Sequence, residues 1–84
     1  MTYYKIGKVT HYYDKIGVAV VELDSDLSVG DTVKFVRGGE DLFEQKVDSI
    51  QQEHEKIPTA SKGDIIGLKV NNEIKEDAEI YKEK

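Results

Sequence analysis

The side chains best suited to binding chemistry are concentrated near the N-terminus. Four of the five tyrosines fall within the first 13 residues, together with a histidine and several lysines. Aromatic rings stack on exposed bases and ammonium groups contact phosphates, as they do in small RNA-binding barrels. The pattern therefore predicts an RNA-contacting surface formed by Lys8, His11, Tyr12, Tyr13, Lys15 and Arg37.

The same rings have a second interpretation, in which they cover a hydrophobic core. Tyrosine often buries its ring while its hydroxyl group stays in water. Tyr3, Tyr4 and Lys5 belong to the same concentration of aromatic and basic residues. The residue types leave both interpretations open, and the two differ in whether the rings and the lysines share one exposed face.

Catalytic, metal and cofactor chemistry find little support in the residue types. The chain has no cysteine, which excludes disulfides, thiolate zinc sites and cysteine nucleophiles. His54 lies between Glu53 and Glu55, but neighbouring side chains point to different sides of a segment and do not converge on one ion. Gly7-Lys8 lacks the upstream glycine of a phosphate loop. We expect a non-enzymatic protein with no catalytic residue, no metal site and no cofactor.

The net charge of −5 comes from 17 acidic and 12 basic residues, and it argues against tight, sequence-independent binding to DNA or RNA. The excess lies in the second part of the chain. Residues 1–37 carry five basic and five acidic side chains, whereas residues 38–84 carry seven and twelve. A local basic face near the N-terminus is therefore compatible with the charge. The chain lacks the apolar core of a secretory signal and any apolar run of about 18 residues, so we expect a cytoplasmic protein without a membrane partner.

A single all-β domain over residues 1–84 is expected to position these side chains. Of the 32 apolar residues, 17 are Val or Ile, which favour strands, and glycine-rich turns divide the chain into short pieces. The prediction is a small antiparallel β-barrel, closed or partly open, of about six strands. These strands are placed near residues 4–12, 17–23, 32–37, 42–50, 65–70 and 77–81.

Three patterns predict how the strands are arranged. The run Val18–Val21 is apolar on both faces, as in a strand that is covered on both sides at the centre of a fold. Gly38-Gly39 can adopt the positive φ values of a tight hairpin turn. Residues 66–70 alternate with a period of two, so one face of that strand is expected to enter the core.

Three further segments carry less regular patterns. A bulge near residues 48–49 would return Ile50 to the core face of its strand. Gln51–Lys62 is the longest polar connection and could hold a helical turn. The acidic stretch Asn72–Glu79 is expected to form a solvated hairpin and an edge strand, whose charges discourage edge-to-edge aggregation.

Five segments follow one another in a familiar order: Ile6-Gly7-Lys8-Val9, Val18-Ala19-Val20-Val21, Leu27–Val33, Val47–Ile50 and Ala60–Leu68. Their order and spacing resemble the second domain of translation GTPases such as elongation factor Tu. The details at Val9–Tyr13 and Asp77–Tyr81 are more similar to the C-terminal barrel of the collagenase-like peptidase family and to small free-standing elongation-factor-like proteins. The resemblance covers about residues 5–82 and implies a translation-protein type of β-barrel.

The resemblance implies a binding role, because the nucleotide-binding and peptidase domains of these families have no counterpart in these 84 residues. It carries over neither GTP hydrolysis nor proteolysis, and scaffold alone does not specify function. It implies a translation-factor-like module that contacts tRNA, rRNA or a ribonucleoprotein through the predicted surface. The alternative is a protein-interaction module that docks on a peptidase-like or RNA-modifying partner.

Overall fold

The computed structural model describes residues 2–83, and its regular structure consists of antiparallel β-strands. No helix in that range is long and apolar enough to cross a membrane. The strands are β1 (Tyr3–Tyr13), β2 (Val18–Leu23), β3 (Leu27–Ser28), β4 (Thr32–Arg37), β5 (Glu40–Lys46), β6 (Ile50–Gln52), β7 (Glu55–Ile57), β8 (Thr59–Ala60), β9 (Ile65–Lys69) and β10 (Glu79–Glu83).

Eight of these strands form one sheet in the order β5-β4-β10-β1-β2-β9-β6-β7, and β3 pairs with β8 in a small second sheet. Every pairing in both sheets is antiparallel. The predicted all-β, antiparallel fold class is confirmed. The six predicted strands correspond to β1, β2, β4, β5, β9 and β10. Strand β2 lies near the middle of the sheet, as predicted, but only one of its faces is buried, because Val18 and Val20 stay partly exposed.

Alternating side chains from the strands fill one hydrophobic core. Strand β2 shows the pattern clearly, since Ala19, Val21 and Leu23 are buried while the residues between them are half-buried. The period of two over residues 66–70 is likewise confirmed, with every second side chain in the core. The buried cluster consists of Ile6, Val9, Ala19, Val21, Leu23, Leu27, Val33, Phe35, Val47, Ile50, Ala60, Ile66, Leu68, Val70, Ile74, Ala78 and Ile80.

Gly7 lies where β1 comes close to the backbone of β2. A β-carbon at this position would overlap the backbone carbonyl of Glu22, so a side chain there would push the two strands apart. The β1 register shifts between Lys5 and Gly7 against β10, and between Val9 and His11 against β2. These bulges bend the long first strand, as strands must bend to wrap around a core.

One buried side chain joins the sheet where no backbone ladder does. The amide group of Gln45 on β5, which is only 8% exposed, donates to the carbonyl oxygen of Lys69 at 2.8 Å and accepts from the N–H of Asn71 at 2.8 Å. A primary amide carries one donor and one acceptor side, so it can replace a peptide group in such a ladder. Gln45 thereby connects β5 to the end of β9.

The predicted strand over residues 42–50 is wrong in its second half. The chain leaves β5 after Lys46 and starts β6 at Ile50, which pairs with β9 instead of β4. Val47 is buried at the crossing and exchanges backbone hydrogen bonds with Asp31 and Gly30, at 2.8 and 2.9 Å. Ile50 reaches the core because the chain changes neighbours, not because of a bulge within one strand.

The long polar connection over residues 51–62 also differs from the expectation. It contains a β6–β7 hairpin whose turn places Glu53 and His54 at φ values of 51° and 69°. Strand β8 follows directly and pairs with β3. Among the described residues this segment holds no helical turn, and β3, β7 and β8 were not predicted.

The expectation of an edge strand after the acidic stretch is wrong. Strand β10 lies between β4 and β1, and its Ile80 side chain is fully buried. The preceding loop is fixed by the buried side chains of Ile74 and Ala78. Its backbone exchanges hydrogen bonds with Val9, at 2.7 and 3.0 Å. Exposed acidic residues thus alternate with buried apolar residues in this loop. The number of acidic residues did not reveal the buried ones.

Two copies of one turn precede β4 and β9. Asp31 accepts a hydrogen bond from the N–H of Ser28, and Asp64 accepts one from the N–H of Ser61, both at 2.9 Å. The glycine before each aspartate has a positive φ, 96° in the first turn and 92° in the second. The repeated Gly-Asp pattern in the sequence therefore corresponds to one turn geometry used twice.

Candidate functional site

The predicted RNA-contacting residues are divided between two sides of β1. Tyr12 is half-buried and packs against the hydrophobic core, so the core interpretation applies to this ring. His11 and Tyr13 lie on the outer side, with ring centroids 4.4 Å apart and planes tilted by 60°. One of the three rings therefore belongs to the interior, and the other two form an exposed pair.

The predicted cations lie at separate places. Lys8 is exposed on β1 between Glu22 of β2 and Glu79 of β10. Lys15 is exposed in the turn between β1 and β2. Arg37 ends β4 and shares a groove of about 420 Å³ with Tyr12. The six predicted residues do not form one continuous basic face.

Carboxylates surround the part of the predicted surface that does come together. The groove shared by Tyr12 and Arg37 is also lined by Glu73, Glu76 and Asp77. His11 places its Nδ1 atom 2.9 Å from a carboxylate oxygen of Glu76. These acids lower the affinity of the groove for phosphate, because binding to nucleic acid depends on uncompensated positive charge.

The N-terminal tyrosines form a second cluster at the other end of β1. The ammonium group of Lys34 lies 4.4 Å from the ring centroid of Tyr3, and the Tyr3 hydroxyl donates to Glu44. That hydrogen bond, with smaller contributions from desolvation and from the negative charges of Glu44 and Glu83, raises the pKa of Tyr3 far above its usual range. The polar and charged groups of this surface cluster therefore bind one another.

Lys5 of the N-terminal concentration and Lys82 of β10 are also engaged. Lys5 lies 2.8 Å from Glu79, whose hydrogen bond and charge raise the pKa of the lysine. Lys82 donates to the carbonyl oxygen of Asp26 at 2.9 Å and lies 5.6 Å from the Tyr4 ring centroid. Their charges therefore serve contacts within the domain.

An exposed apolar surface covers the outer side of β1, β2 and β9. We define this outer apolar face by Tyr13, Ile16, Val18, Val20 and Ile65. Tyr13 pairs with Val18 across β1 and β2, and Val20 pairs with Gly67 of β9. Ile65 lies two residues before Gly67 and is therefore a diagonal neighbour of Val20. Tyr13, Ile16 and Ile65 are 49%, 58% and 56% exposed.

Gly67 shapes the middle of the outer apolar face. A β-carbon at Gly67 would lie 3.1 Å from the Cγ1 atom of Val18, tighter than an ordinary contact. The missing side chain leaves room for the side chain of Val18 beside β9. The sequence signal for this face was the two-sided apolar run of β2, because Val18 and Val20 supply its outer half and are only half-buried.

A groove of about 430 Å³ continues from this face toward β6 and β7. We call it the lysine groove; its lining residues are Ile16, Val18, Ser49, Gln51, Lys56 and Lys69. Lys69 donates to the carbonyl oxygen of Ile16 at 3.2 Å. Among residues 2–83, neither Lys56 nor Lys69 forms an ion pair with a carboxylate. Sequence patterns did not single out these two lysines, which lie on separate strands.

Outside the buried Gln45 contact, the polar side chains described above meet one another at the surface. In the part of the chain that the structure describes, no group of three or more His, Cys, Asp and Glu side chains is placed to hold a metal ion. The same residues contain no buried side-chain nitrogen or oxygen without a hydrogen-bond partner. The geometry that stands out on the surface is therefore an apolar face with a positively charged groove at its border.

Comparison with known proteins places the chain beside much longer relatives. It is similar to an uncharacterized protease of Methanocaldococcus jannaschii, with 35% identity over 77 residues, which are 92% of this chain and 19% of that protein. It is also similar to a collagenase of Porphyromonas gingivalis, with 28% identity over 78 residues, 92% of this chain and 22% of the collagenase. The chain thus spans about a fifth of the length of these curated relatives. It matches no protein-family model.

The fold is also similar to that of a solved C-terminal domain from a peptidase-like protein. A crystal structure of the C-terminal domain of a Geobacillus thermoleovorans protein assigned to the U32 peptidases has a TM-score of 0.87 and 24% identity, covering 95% of this chain and 92% of that one. Its selenomethionine variant has a TM-score of 0.84. The similarity to collagenase-like peptidase proteins that the sequence predicted is confirmed, whereas the resemblance to elongation factor Tu stays a prediction.

Proposed function

We propose that this chain is a non-catalytic accessory module that docks on a peptidase-like protein through the outer apolar face. The observation that carries the proposal is the outer side of β2, where Val18 and Val20 stay partly exposed in a strand whose sequence is apolar on both faces. A contiguous apolar surface of this kind marks an interaction site more often than scattered apolar residues do.

The relatives support the choice of partner. Each of them contains a segment similar to this chain within a protein roughly five times as long, so the same barrel accompanies a larger peptidase-like body there. A surface that meets such a body should be apolar at its centre and polar at its rim. The outer apolar face has this layout, with His11 and Glu22 at its border and Lys69 beside it.

The face supplies part of the free energy of a reversible contact. Complete burial of a Val or Ile side chain is favourable by about 1.5–3 kcal/mol, and a residue gains the share of this that it still exposes when a partner covers it. Three of the five residues are about half exposed and the two valines less, so the gross gain is about 3–7 kcal/mol. Association itself costs about 4 kcal/mol or more, so the polar rim has to contribute to the binding free energy as well.

Contact with tRNA, rRNA or a ribonucleoprotein is the second candidate. Lys8, His11, Tyr13 and Lys15 favour it because they are exposed on or next to β1. The interior position of Tyr12 and the carboxylates around Arg37 count against it. An RNA-modifying protein as the docking partner is compatible with both candidates.

The test uses the Methanocaldococcus jannaschii protease with its 77 matching residues removed as a purified probe, and titrates this chain into it by calorimetry. We expect binding that Ile65→Lys weakens about tenfold or more, because a charge would replace apolar burial at the contact. Leu42→Lys is the matched control, since Leu42 is an exposed leucine on β5, at the far end of the sheet.

Equal effects of the two lysine substitutions, or absence of binding to the truncated protease, would contradict the proposal. A parallel titration with tRNA at low salt, followed through backbone amide NMR shifts, decides the second candidate. Shifts at His11, Tyr13 and Lys15 without any binding to the protease probe would favour RNA over the protein partner.

A further inference from the structure

The lysine groove differs in charge from the other grooves described on this surface. The groove beside Arg37 carries three acidic residues, Glu73, Glu76 and Asp77, against Arg37 and Lys75. A groove of about 310 Å³ at β4 and β5 carries Asp41 and Glu44 beside Lys34. The lysine groove is lined by two lysines and no acidic residue. In a chain with 17 acidic and 12 basic residues, a groove that collects only cations is the exception.

The two lysines reach the groove from two different strands of the sheet. Lys69 ends β9 opposite Val18, and its hydrogen bond to the Ile16 carbonyl fixes the end of its side chain. Lys56 lies opposite Gln51 on the β6–β7 hairpin. An ammonium group has three donors, so Lys69 retains two for a ligand after its bond to Ile16.

The remaining lining residues indicate which groups a ligand of the two lysines would carry between its negative charges. Ile16 and Val18 supply an aliphatic wall, and Ser49 and Gln51 supply neutral hydrogen-bonding groups. The volume of about 430 Å³ lies within the range of about 300–1,000 Å³ that is usual for binding pockets. An extended segment with carboxylates flanking an aliphatic side chain matches this arrangement.

We propose that the lysine groove binds an acidic, extended peptide segment, with carboxylates at Lys56 and Lys69 and an aliphatic residue against Ile16. The inference rests on the proposed function, since it assigns the segment to the protein that docks on the adjoining outer apolar face. Charge complementarity selects the occupant, because the groove is the positively charged border of an otherwise apolar contact.

An RNA strand fits the groove less well than an acidic peptide. Proteins that bind single-stranded RNA combine several cations along the backbone with aromatic platforms for the bases. The lysine groove has two cations and no aromatic ring in its lining. A two-phosphate contact of this kind would also be lost readily with added salt.

The experiment titrates the full chain with the capped peptide acetyl-Glu-Leu-Asp-Ile-Glu-amide and follows backbone amide NMR shifts. We expect the largest shifts at Ile16, Gln51 and Lys69. The double substitution Lys56→Met with Lys69→Met is expected to weaken binding about 5- to 30-fold, the loss of two solvent-exposed ion pairs at the stronger end of their range. Lys62→Met is the matched control and should leave binding unchanged, since Lys62 is exposed outside the groove lining.

Three results would overturn the inference. The first is that the peptide acetyl-Lys-Leu-Lys-Ile-Lys-amide binds as tightly as the acidic peptide, and the second is that Lys62→Met weakens binding as much as the double substitution does. The third is that a ten-nucleotide oligouridine saturates the same amide shifts at a lower concentration than the acidic peptide. The double variant also separates the two proposals. Protease-probe binding that depends on Ile65 but not on Lys56 and Lys69 upholds the docking function and refutes the groove assignment. Peptide binding in the groove without protease-probe binding does the reverse.

Discussion

The polar side chain of Gln45 is expected to make a large contribution to the free energy of unfolding, because it links β5 to β9. Gln45→Leu removes both hydrogen bonds to the β9 end, to the Lys69 carbonyl and from the Asn71 N–H. At about 0.5–1.5 kcal/mol for each bond, the free energy of unfolding should fall by about 1–3 kcal/mol. That is a large fraction of the roughly 4–13 kcal/mol expected for a domain of this length.

The substitution Gln45→Glu distinguishes the hydrogen bonds from simple packing. A carboxyl group can accept from the Asn71 N–H in either state, but it can donate to the Lys69 carbonyl only when it is protonated. The folded state therefore holds the proton more strongly than the unfolded state does, so the pKa of the introduced group is raised on folding. Stability from such a group is present at low pH and lost as pH rises through the folded pKa. The deficit relative to the wild type should be smaller at pH 4 than at pH 7.

The assay is urea unfolding of wild type, Gln45→Leu and Gln45→Glu at pH 4 and pH 7, with Gln51→Leu as the exposed control. In thermal unfolding of the same proteins, the melting temperature should fall by roughly 5–20 °C for Gln45→Leu at both pH values. Amide hydrogen exchange at Asn71 should accelerate in the same variant. A loss no larger than that of Gln51→Leu, or a Gln45→Glu deficit that grows on acidification, would refute the argument.

Two further predictions concern the repeated turn and the tyrosine cluster. Asp31→Ala and Asp64→Ala should each lower the free energy of unfolding by about 1 kcal/mol, because each removes one hydrogen bond to a turn amide. Asp64→Asn should retain most of the stability. An unchanged urea midpoint for both alanine variants would contradict the shared turn geometry. Tyr3 should ionise well above the ordinary value of 10.0 because its hydroxyl donates to Glu44, so in absorbance titrations at 295 nm Tyr3→Phe should remove the tyrosinate that appears last. Since the folded pKa is the higher one, the stabilisation by Tyr3 is present below about pH 10 and is lost as pH rises through the folded pKa, so the wild type and Tyr3→Phe should converge in alkali.

Local patterns in the sequence were sufficient for the strands that carry their own apolar pattern or turn signal. The apolar run of β2 and the alternation in β9 located these strands, and Gly38-Gly39 located the β4–β5 hairpin, where the two glycines take φ values of 62° and 81°. The β6–β7 hairpin was missed because its turn uses Glu53 and His54 at positive φ, which non-glycine residues rarely adopt.

The position of β10 and the lysine groove required contacts that no local pattern specifies. Acidic residues before β10 suggested a solvated edge, yet its place between β4 and β1 is determined by pairing over most of the chain length. The groove likewise joins Ile16, Gln51, Lys56 and Lys69 from separate elements. The apolar outer side of β2 was visible in the sequence, but whether the domain itself or another molecule covers it was not.

The placement of β10 also determines when this domain can fold during its synthesis. Strand β1 pairs with β10 from Tyr3–Glu83 to Lys8–Glu79, and β10 is the only strand that joins β1 to β4 in the described sheet. At about 5–20 residues per second, β1 is synthesised roughly 4–16 s before its partner. Once β1 and β4 have left the ribosome, and until β10 follows, the nascent chain presents their unpaired edges to chaperones and to neighbouring chains. The complete sheet can therefore form only after translation has passed residue 83.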